Sequence, residues 1–293
     1  MLPVKRNNNR GQIIRPAISQ VLTIAEEVIH WVSDPEYPQL ERAPRGPLHV
    51  GVDLGTAYLV LVVLDEFYQP IAGEYQFAEV VRDGLVVDFI KAIDLVRSMK
   101  ELVEERIGRK LQFASSAFPP GIPEVETRAV ANVIEAAGFE CTALIDEPSA
   151  ANQLLGIKNG TVVDIGGGTT GIAIINNGEV IYTADEPTGG THFSLVIAGA
   201  LDIPFEDAET LKIKPDEQKR LFPLVRPVME KVGTIIAAHI KDHSVENITL
   251  VGGTAAFQGI ASVVEETTGI STVVPDKPLF ITPIGIAMSN LVI

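Results

Sequence analysis

The stretch Val162-Val163-Asp164-Ile165-Gly166-Gly167-Gly168-Thr169-Thr170-Gly171 limits what this chain can fold into more than any other. An apolar run too short for a helix ends on an aspartate. Three glycines and two threonines follow, and a second apolar run, Ile172-Ala173-Ile174-Ile175, begins. The pattern predicts two buried strands joined by a tight turn. Glycine admits positive φ and lets backbone approach a ligand closely. Successive N–H groups in such a turn form a concave anion site, to which threonine hydroxyls add donors. Asp164 faces the same space, where it repels a bare phosphate; a divalent cation between the two makes the arrangement attractive. The stretch reads either as a phosphate-plus-metal clamp built from Gly166, Gly167, Gly168, Thr169 and Thr170, or as a plain hairpin carrying a surface aspartate.

The same grammar occurs at Val50-Gly51-Val52-Asp53-Leu54-Gly55-Thr56, followed by a second strand from Tyr58 to Leu64. Asp53 and Asp164 are separated by about the length of one small domain, roughly 100 residues. Two Asp-Gly-Thr hairpins at that spacing imply duplicated lobes facing each other across a nucleotide. The repetition favours the clamp over the plain hairpin.

Composition sets outer limits. With 293 residues, 46% of them hydrophobic, the chain can bury one large or two medium cores. A net charge of -15 argues against a nucleic-acid partner and against anionic membrane surfaces. One cysteine, Cys141, allows no internal disulfide and fits a reducing cytoplasm, with the residue itself expected as a small core side chain. No apolar stretch has the length of a bilayer span. Lys5, Arg6, Arg10 and Arg15 precede no continuous apolar region, so secretion is not expected.

Residues 1 to 15 are basic and Asn-rich and are expected to be disordered. Pro16 suits a helix start, and Ile18, Val21, Leu22, Ala25, Val28, Ile29 and Val32 recur at helical spacing. Pro35, Pro38, Pro44 and Pro47 then mark an extended linker. This N-terminal helix either folds back as a cap or acts as a detachable docking peptide. In the body, strands near 71–77, 111–118, 141–145, 180–184 and 247–251 alternate with helices over 89–106, 124–137, 147–155, 192–200, 204–211, 221–240, 255–268 and 283–290. That alternation predicts an α/β layered structure. Asp83-Gly84 offers a turn, and Pro223 and Pro227 are compatible with their helix only near its start.

Among isolated groups, Glu147 lies where a strand meets a helix. It either serves the helix dipole or orients a water for attack on a terminal phosphate, chemistry that depends mainly on positioning and electrostatics. Gly252-Gly253-Thr254 closes a strand and opens a helix, where backbone can approach a sugar and base or simply form an αβ loop. Gly189-Gly190 is a weaker case of the same kind. His239 and His243 are spaced i, i+4 but lack a third metal ligand, so a solvated polar face is expected; His192 is expected to bond locally.

These residues resemble a known set. Gly51-Val52-Asp53-Leu54-Gly55-Thr56, Glu147-Pro148-Ser149-Ala150-Ala151, Val163-Asp164-Ile165-Gly166-Gly167-Gly168-Thr169 and Val251-Gly252-Gly253-Thr254 are similar, in order, to the first phosphate, first connecting, second phosphate and adenosine motifs of the actin/Hsp70 superfamily. Pro283-Ile284-Gly285-Ile286-Ala287 resembles the second connecting motif. The resemblance implies an α/β, actin/Hsp70-like (ribonuclease H-like) duplicated two-lobe fold, each lobe built on a five-stranded sheet, with ATP and Mg2+ in the cleft. The implied division is an N-terminal extension at 1–46, lobe I at 47–157 with 281–293, and lobe II at 158–280. Within the superfamily, Val80 to Phe89, Phe118-Pro119-Pro120-Gly121 and Ala184 to Gly190 look most like the ethanolamine utilisation protein EutJ family, whose members are usually described as chaperones and are encoded with bacterial-microcompartment enzymes.

By that resemblance Asp53 and Asp164 surround the metal and Glu147 adjoins the attacking water. Gly55, Thr56, Gly166, Gly167, Gly168, Thr169, Thr170, Gly189, Gly190, Gly252 and Gly253 contact the nucleotide. The implied partners are a client enzyme, such as the cobalamin-dependent ethanolamine lyase, or microcompartment proteins, with self-association as a further expectation and the cytoplasm as the place. The chain departs from the chaperone pattern in three ways. A C-terminal substrate-binding domain is not expected, the insertion between Leu64 and Leu111 is short, and no counterpart of the chaperones' catalytic lysine stands out. These departures bear on fast hydrolysis more than on nucleotide binding. A weakly hydrolysing chaperone or reactivating factor is the leading expectation. A nucleotide-binding scaffold or filament former comes next, and a small-molecule kinase last, for want of a general-base aspartate.

Overall fold

The structure is a computed structural model that describes residues 17–32, 40, 42–82 and 84–290. The expectations for residues 1–15, Pro16, Pro35, Pro38 and Asp83 lie outside these. The elements in chain order are α1 (Ile18–Val28), β1 (Ile29–Trp31), β2 (His49–Leu54), β3 (Tyr58–Leu64), β4 (Pro70–Phe77), β5 (Val81–Arg82), β6 (Leu85–Val86), α2 (Phe89–Ile107), β7 (Phe113–Phe118), α3 (Glu124–Ala136), β8 (Glu140–Asp146) and α4 (Glu147–Leu155). There follow β9 (Gly160–Ile165), β10 (Thr170–Asn176), β11 (Glu179–Glu186), α5 (Gly190–Leu201), α6 (Phe205–Lys212), α7 (Pro215–Ile240), β12 (Ile248–Val251), α8 (Ile260–Thr268), β13 (Thr272–Val273) and α9 (Ile281–Met288).

Two sheets carry the molecule. The first runs β1-β4-β3-β2-β7-β8 and the second β11-β10-β9-β12-β13. Leave out β1, and the two have the same plan: two antiparallel neighbours, β4/β3 and β3/β2 in one and β11/β10 and β10/β9 in the other, then two parallel ones. β3 and β9 are buried almost throughout, as strands covered on both faces must be. The motif duplication in the sequence is thus a duplication of topology.

Local chemistry accounts for most element ends. Asp88 caps α2 by accepting from the Lys91 N–H at 3.0 Å, and Gly108, at φ 64°, closes it. Asp146 caps α4 in the same way through Ser149, and Gly156 ends it. α9 is buried along nearly its whole length and lies against β2 and α4. That contact has no room for side chains. A Cβ on Gly51 would strike the Pro283 carbonyl and the Ala287 amide, and one on Gly285 would strike the Ala150 carbonyl.

Three expectations need correction. The N-terminal helix ends at Val28, and Ile29-His30-Trp31 forms an edge strand parallel to β4, pairing Ile29 with Gly73 and Trp31 with Tyr75. A β-branched residue and an aromatic fit a pleated edge better than another helical turn. The first sheet therefore has six strands rather than five. α1 buries Val21, Leu22 and Ala25 in a cluster with Val60, Val62 and Leu64 of the first sheet and Val162, Ile175 and Val251 of the second. The linker end is held too, by Arg109 donating to the Pro44 carbonyl at 3.2 Å and to the Gly46 carbonyl.

α7 begins at Pro215, so Pro223 and Pro227 fall inside it. Both lie four apart on its exposed side, where carbonyls left without an amide partner face water. Finally, the helix expected over 255–268 is split: Gly253–Ala256 forms a 3-10 turn, and α8 starts only after Gly259, at φ 90°. No described helix is long and apolar enough to cross a membrane.

Candidate functional site

Asp53 and Asp164 occupy the same place in their sheets, each second from the end of the inner hairpin strand, opposite Val60 and Gly171 respectively. Both line one cleft between the sheets. Glu147, first residue of α4, lines it as well, together with Leu54, Gly55, Thr56, Gly166, Gly167, Gly168, Thr169, Gly252, Gly253 and Thr282. The sequence reading placed three carboxylates and two glycine turns together, and the fold brings them to one space.

The electrostatics of that space are unbalanced. Burial, then the charge of Asp164, pushes Asp53 up to about 7. Burial lifts Asp164 to about 6, against a lowering contribution from the Thr282 hydroxyl, which donates to Oδ2 at 2.5 Å. Glu147 is raised well above the usual carboxylate range, by burial first and then by Asp164, Asp53, Asp185 and Asp146. Asp53 and Glu147 are half-buried and line the cleft. Near neutral pH the cluster gains by taking up protons or a cation.

Hydrogen bonds orient the second turn. The Gly190 and Thr191 N–H groups at the start of α5 donate to the Gly166 and Gly167 carbonyls, at 2.9 and 2.8 Å, and the Thr254 hydroxyl donates to Gly166 at 2.7 Å. A peptide unit points its carbonyl and its N–H in opposite directions. The N–H groups of Gly167 and Gly168 therefore turn away from α5, on the side that forms the cleft wall, where an anion would meet them.

None of Gly166, Gly167 or Gly168 has positive φ, contrary to the first reason offered for glycine here. Close approach is the reason. A Cβ on Gly167 would come 2.7 Å from that of Ala57, and one on Gly168 would come 2.8 Å from the Thr56 hydroxyl. The turns of the two hairpins touch each other across the cleft.

Not every expected contact residue faces that space. Thr170 is buried and gives its hydroxyl to the Thr188 carbonyl, while Gly189 and Gly190 stand behind the turn and support it. His192 accepts from the Gly189 N–H at 3.3 Å. His239, expected on a solvated face, instead bridges the Tyr182 hydroxyl at 2.7 Å and Glu186 at 3.0 Å.

Other lining residues escaped the sequence reading. Lys212, at the end of α6, is buried on the cleft wall with its ammonium on Glu209 at 2.8 Å and on the Gly190 carbonyl at 3.1 Å. Burial pulls its pKa down despite Glu209. Tyr58 also lines the cleft, and burial with the nearby Glu209 pushes it up to about 12. The Glu209-x-x-Lys212 spacing puts acid and base on one helical face, the one local signal available. A second cavity of about 230 Å³ adjoins the cleft and shares Tyr58, Lys212, Ile213, Gly253, Thr254 and Leu279 with it; Tyr75, Phe193 and Phe257 supply aromatic walls.

The donor set suits a hydrated divalent cation better than a bare one. Among the described residues no trio of His, Cys, Asp and Glu converges closely enough to hold a metal directly. Mg2+ keeps several waters and takes one or two carboxylates plus phosphate oxygens, and the elevated carboxylates would be relieved by its charge.

Comparison with known proteins gives a consistent picture. A family model described as type IV pilus assembly protein PilM matches residues 124–282. The ethanolamine utilization protein EutJ of Escherichia coli (strain K12) is 42% identical over 253 residues, covering 86% of this chain and 89% of that protein. A crystal structure of EutJ from Carboxydothermus hydrogenoformans superposes with a TM-score of 0.82 at 44% identity, over 92% of this chain and 97% of that one. MreB5 of Spiroplasma citri bound to AMPPNP superposes at 0.68 with 19% identity, over 83% and 95% of the two chains, a likeness of fold. The chain belongs to the ethanolamine utilization protein EutJ family.

Proposed function

We propose that this chain binds ATP with Mg2+ between its two sheets and hydrolyses it slowly, as an actin/Hsp70-like chaperone or reactivating factor for ethanolamine utilisation in the cytoplasm, in association with a bacterial microcompartment. The observation that carries the reading is the meeting of both Asp-Gly turns and Glu147 in one space that is short of positive charge. The turn N–H groups suit phosphates, Asp53 and Asp164 suit the shell of a hydrated Mg2+, and Glu147 suits the polarising of a water. Glu209 and Lys212 offer an acceptor and a donor for a sugar diol, and the adjoining aromatic cavity suits a planar base.

Slow rather than fast turnover follows from the cations. Lys212 is the one Lys or Arg among the described residues that line the cleft, and its ammonium is engaged by Glu209 and a backbone carbonyl, so charge developing on a transferred phosphoryl group meets little positive compensation. The same observation favours, as a second reading, a nucleotide-binding scaffold that does not turn over. The client would be a partner enzyme such as the ethanolamine lyase, or a shell protein.

Phosphate release with Mg2+ and calorimetry with ATP, on wild type and Glu147→Ala, test this. Slow release that falls at least tenfold in the variant while ATP still binds supports the chaperone reading. Binding without release selects the scaffold, and absence of binding at millimolar ATP rejects both.

A further inference from the structure

Trp31 is the chain's single tryptophan, and its strand carries it to the aromatic wall of the second cavity. Its indole meets the Tyr75 ring edge-on, with centroids 5.3 Å apart and planes at 83°, and the Tyr58 ring at 6.2 Å and 75°. Tyr58 and Tyr75 lie 6.3 Å from each other and both line the cavity. Tyr75 in turn reaches Phe280 at 5.9 Å, beside Leu279, which lines cavity and cleft alike. Glu26 on α1 pairs with Lys277, at the start of that same turn. The core under α1 draws side chains from both sheets. The N-terminal segment therefore touches the first sheet at β4, the second sheet through the shared core, and, through the Trp31 ring, two of the side chains that line the cavity.

Gln218, the polar group deepest in this wall, is occupied on both sides: its amide donates to the Lys212 carbonyl at 3.0 Å and accepts from the Gln258 N–H at 2.9 Å. With Gln218 already bonded, the aromatic side chains of Tyr58, Tyr75, Phe193 and Phe257 are what the cavity presents to a flat heterocycle.

We propose that residues 17–32 are a working part of the ligand site: Trp31 holds Tyr58 and Tyr75 against the base of a bound nucleotide, so that base binding and the seating of the segment on β4 strengthen each other. The proposal rests on the nucleotide reading of the cleft and adds to it a positioning residue from outside the family's phosphate motifs. Linkage makes the coupling reciprocal. An edge-on aromatic contact is of a size to change affinity about three- to tenfold.

The test uses the full chain with Mg2+ and two probes, ATP and inorganic tripolyphosphate, followed by calorimetry and by tryptophan emission. ATP is expected to shift the emission of Trp31, and tripolyphosphate, which has no base, to leave it alone. Trp31→Ala should weaken ATP about three- to tenfold without altering tripolyphosphate, and Trp31→Phe should restore ATP. Amide exchange of residues 18–31 in unaltered protein should slow with ATP, a measurement that needs no variant to fold. ATP heat with unchanged emission and exchange overturns the proposal and leaves the nucleotide reading standing, as does equal weakening of both probes by Trp31→Ala. No heat with ATP removes the nucleotide reading and this proposal together.

Discussion

Three acidic side chains share one largely buried space, and the cost of that arrangement depends on pH. A carboxyl whose pKa is raised by folding binds its proton more tightly in the folded chain than in the unfolded one. Between the unfolded value near 4 and the folded values of about 6 for Asp164 and about 7 for Asp53, the folded state therefore holds more protons. Stability must fall as pH rises through that window, by about 1.4 kcal/mol per pH unit for each extra proton held. The ligand-free protein is expected to melt several degrees higher at pH 5.5 than at pH 8 in a calorimetric scan. Asp53→Asn should flatten the dependence, and Mg2+ with ATP should do the same in the wild type; a melting temperature that climbs toward pH 8 would contradict this. These acids were legible in the sequence because each stands in a short motif with its own turn chemistry. Lys212 and Glu209 were not, because their place on the wall is fixed by α6 packing on α5, where Lys212 reaches the Gly190 carbonyl.

At the scale of elements, α9 crosses α4 and β2 at backbone-to-backbone contact. Gly285→Ala drives a methyl into the Ala150 carbonyl, backbone that cannot rotate aside. The variant should lose about 1–3 kcal/mol in urea unfolding, the usual range for overpacking, while Gly199→Ala, where nothing stands within 4 Å, should be neutral or slightly stabilising. Periodicity located most helices and strands, since the caps and glycine stops are written locally. It missed β1 because three residues cannot establish a period against a preceding helix, and only the open edge of β4 decides their state. It misplaced the start of α7 because proline at a helix interior is an error only where the lost hydrogen bond is buried, and exposure is not visible in the sequence.

Across the whole molecule, the cleft encloses about 100 Å³, well below the roughly 300 Å³ at which small-molecule pockets begin. On that volume a bound triphosphate is expected to need the touching hairpin turns to part. Thr56 Cβ lies 3.3 Å from where a Gly168 Cβ would stand, close to the separation a disulfide needs. Thr56→Cys with Gly168→Cys, in a Cys141→Ser background, should therefore lose ATP binding at least tenfold when oxidised and recover it on reduction. Equal binding in both states would show that the turns need not separate. The resemblance to a two-lobed fold was strong in the sequence, but the state of the cleft depends on side chains meeting across it, and no single segment records that.

The seating of α1 and β1 also sets an order of events during synthesis. Val21, Leu22 and Ala25 are made before the side chains they pack on: the strand they lie beside spans residues 70–77, and the rest of their pocket is completed only by residues 280–287. The nascent chain therefore carries an apolar stretch whose cover is incomplete until residues 280–287 have been added.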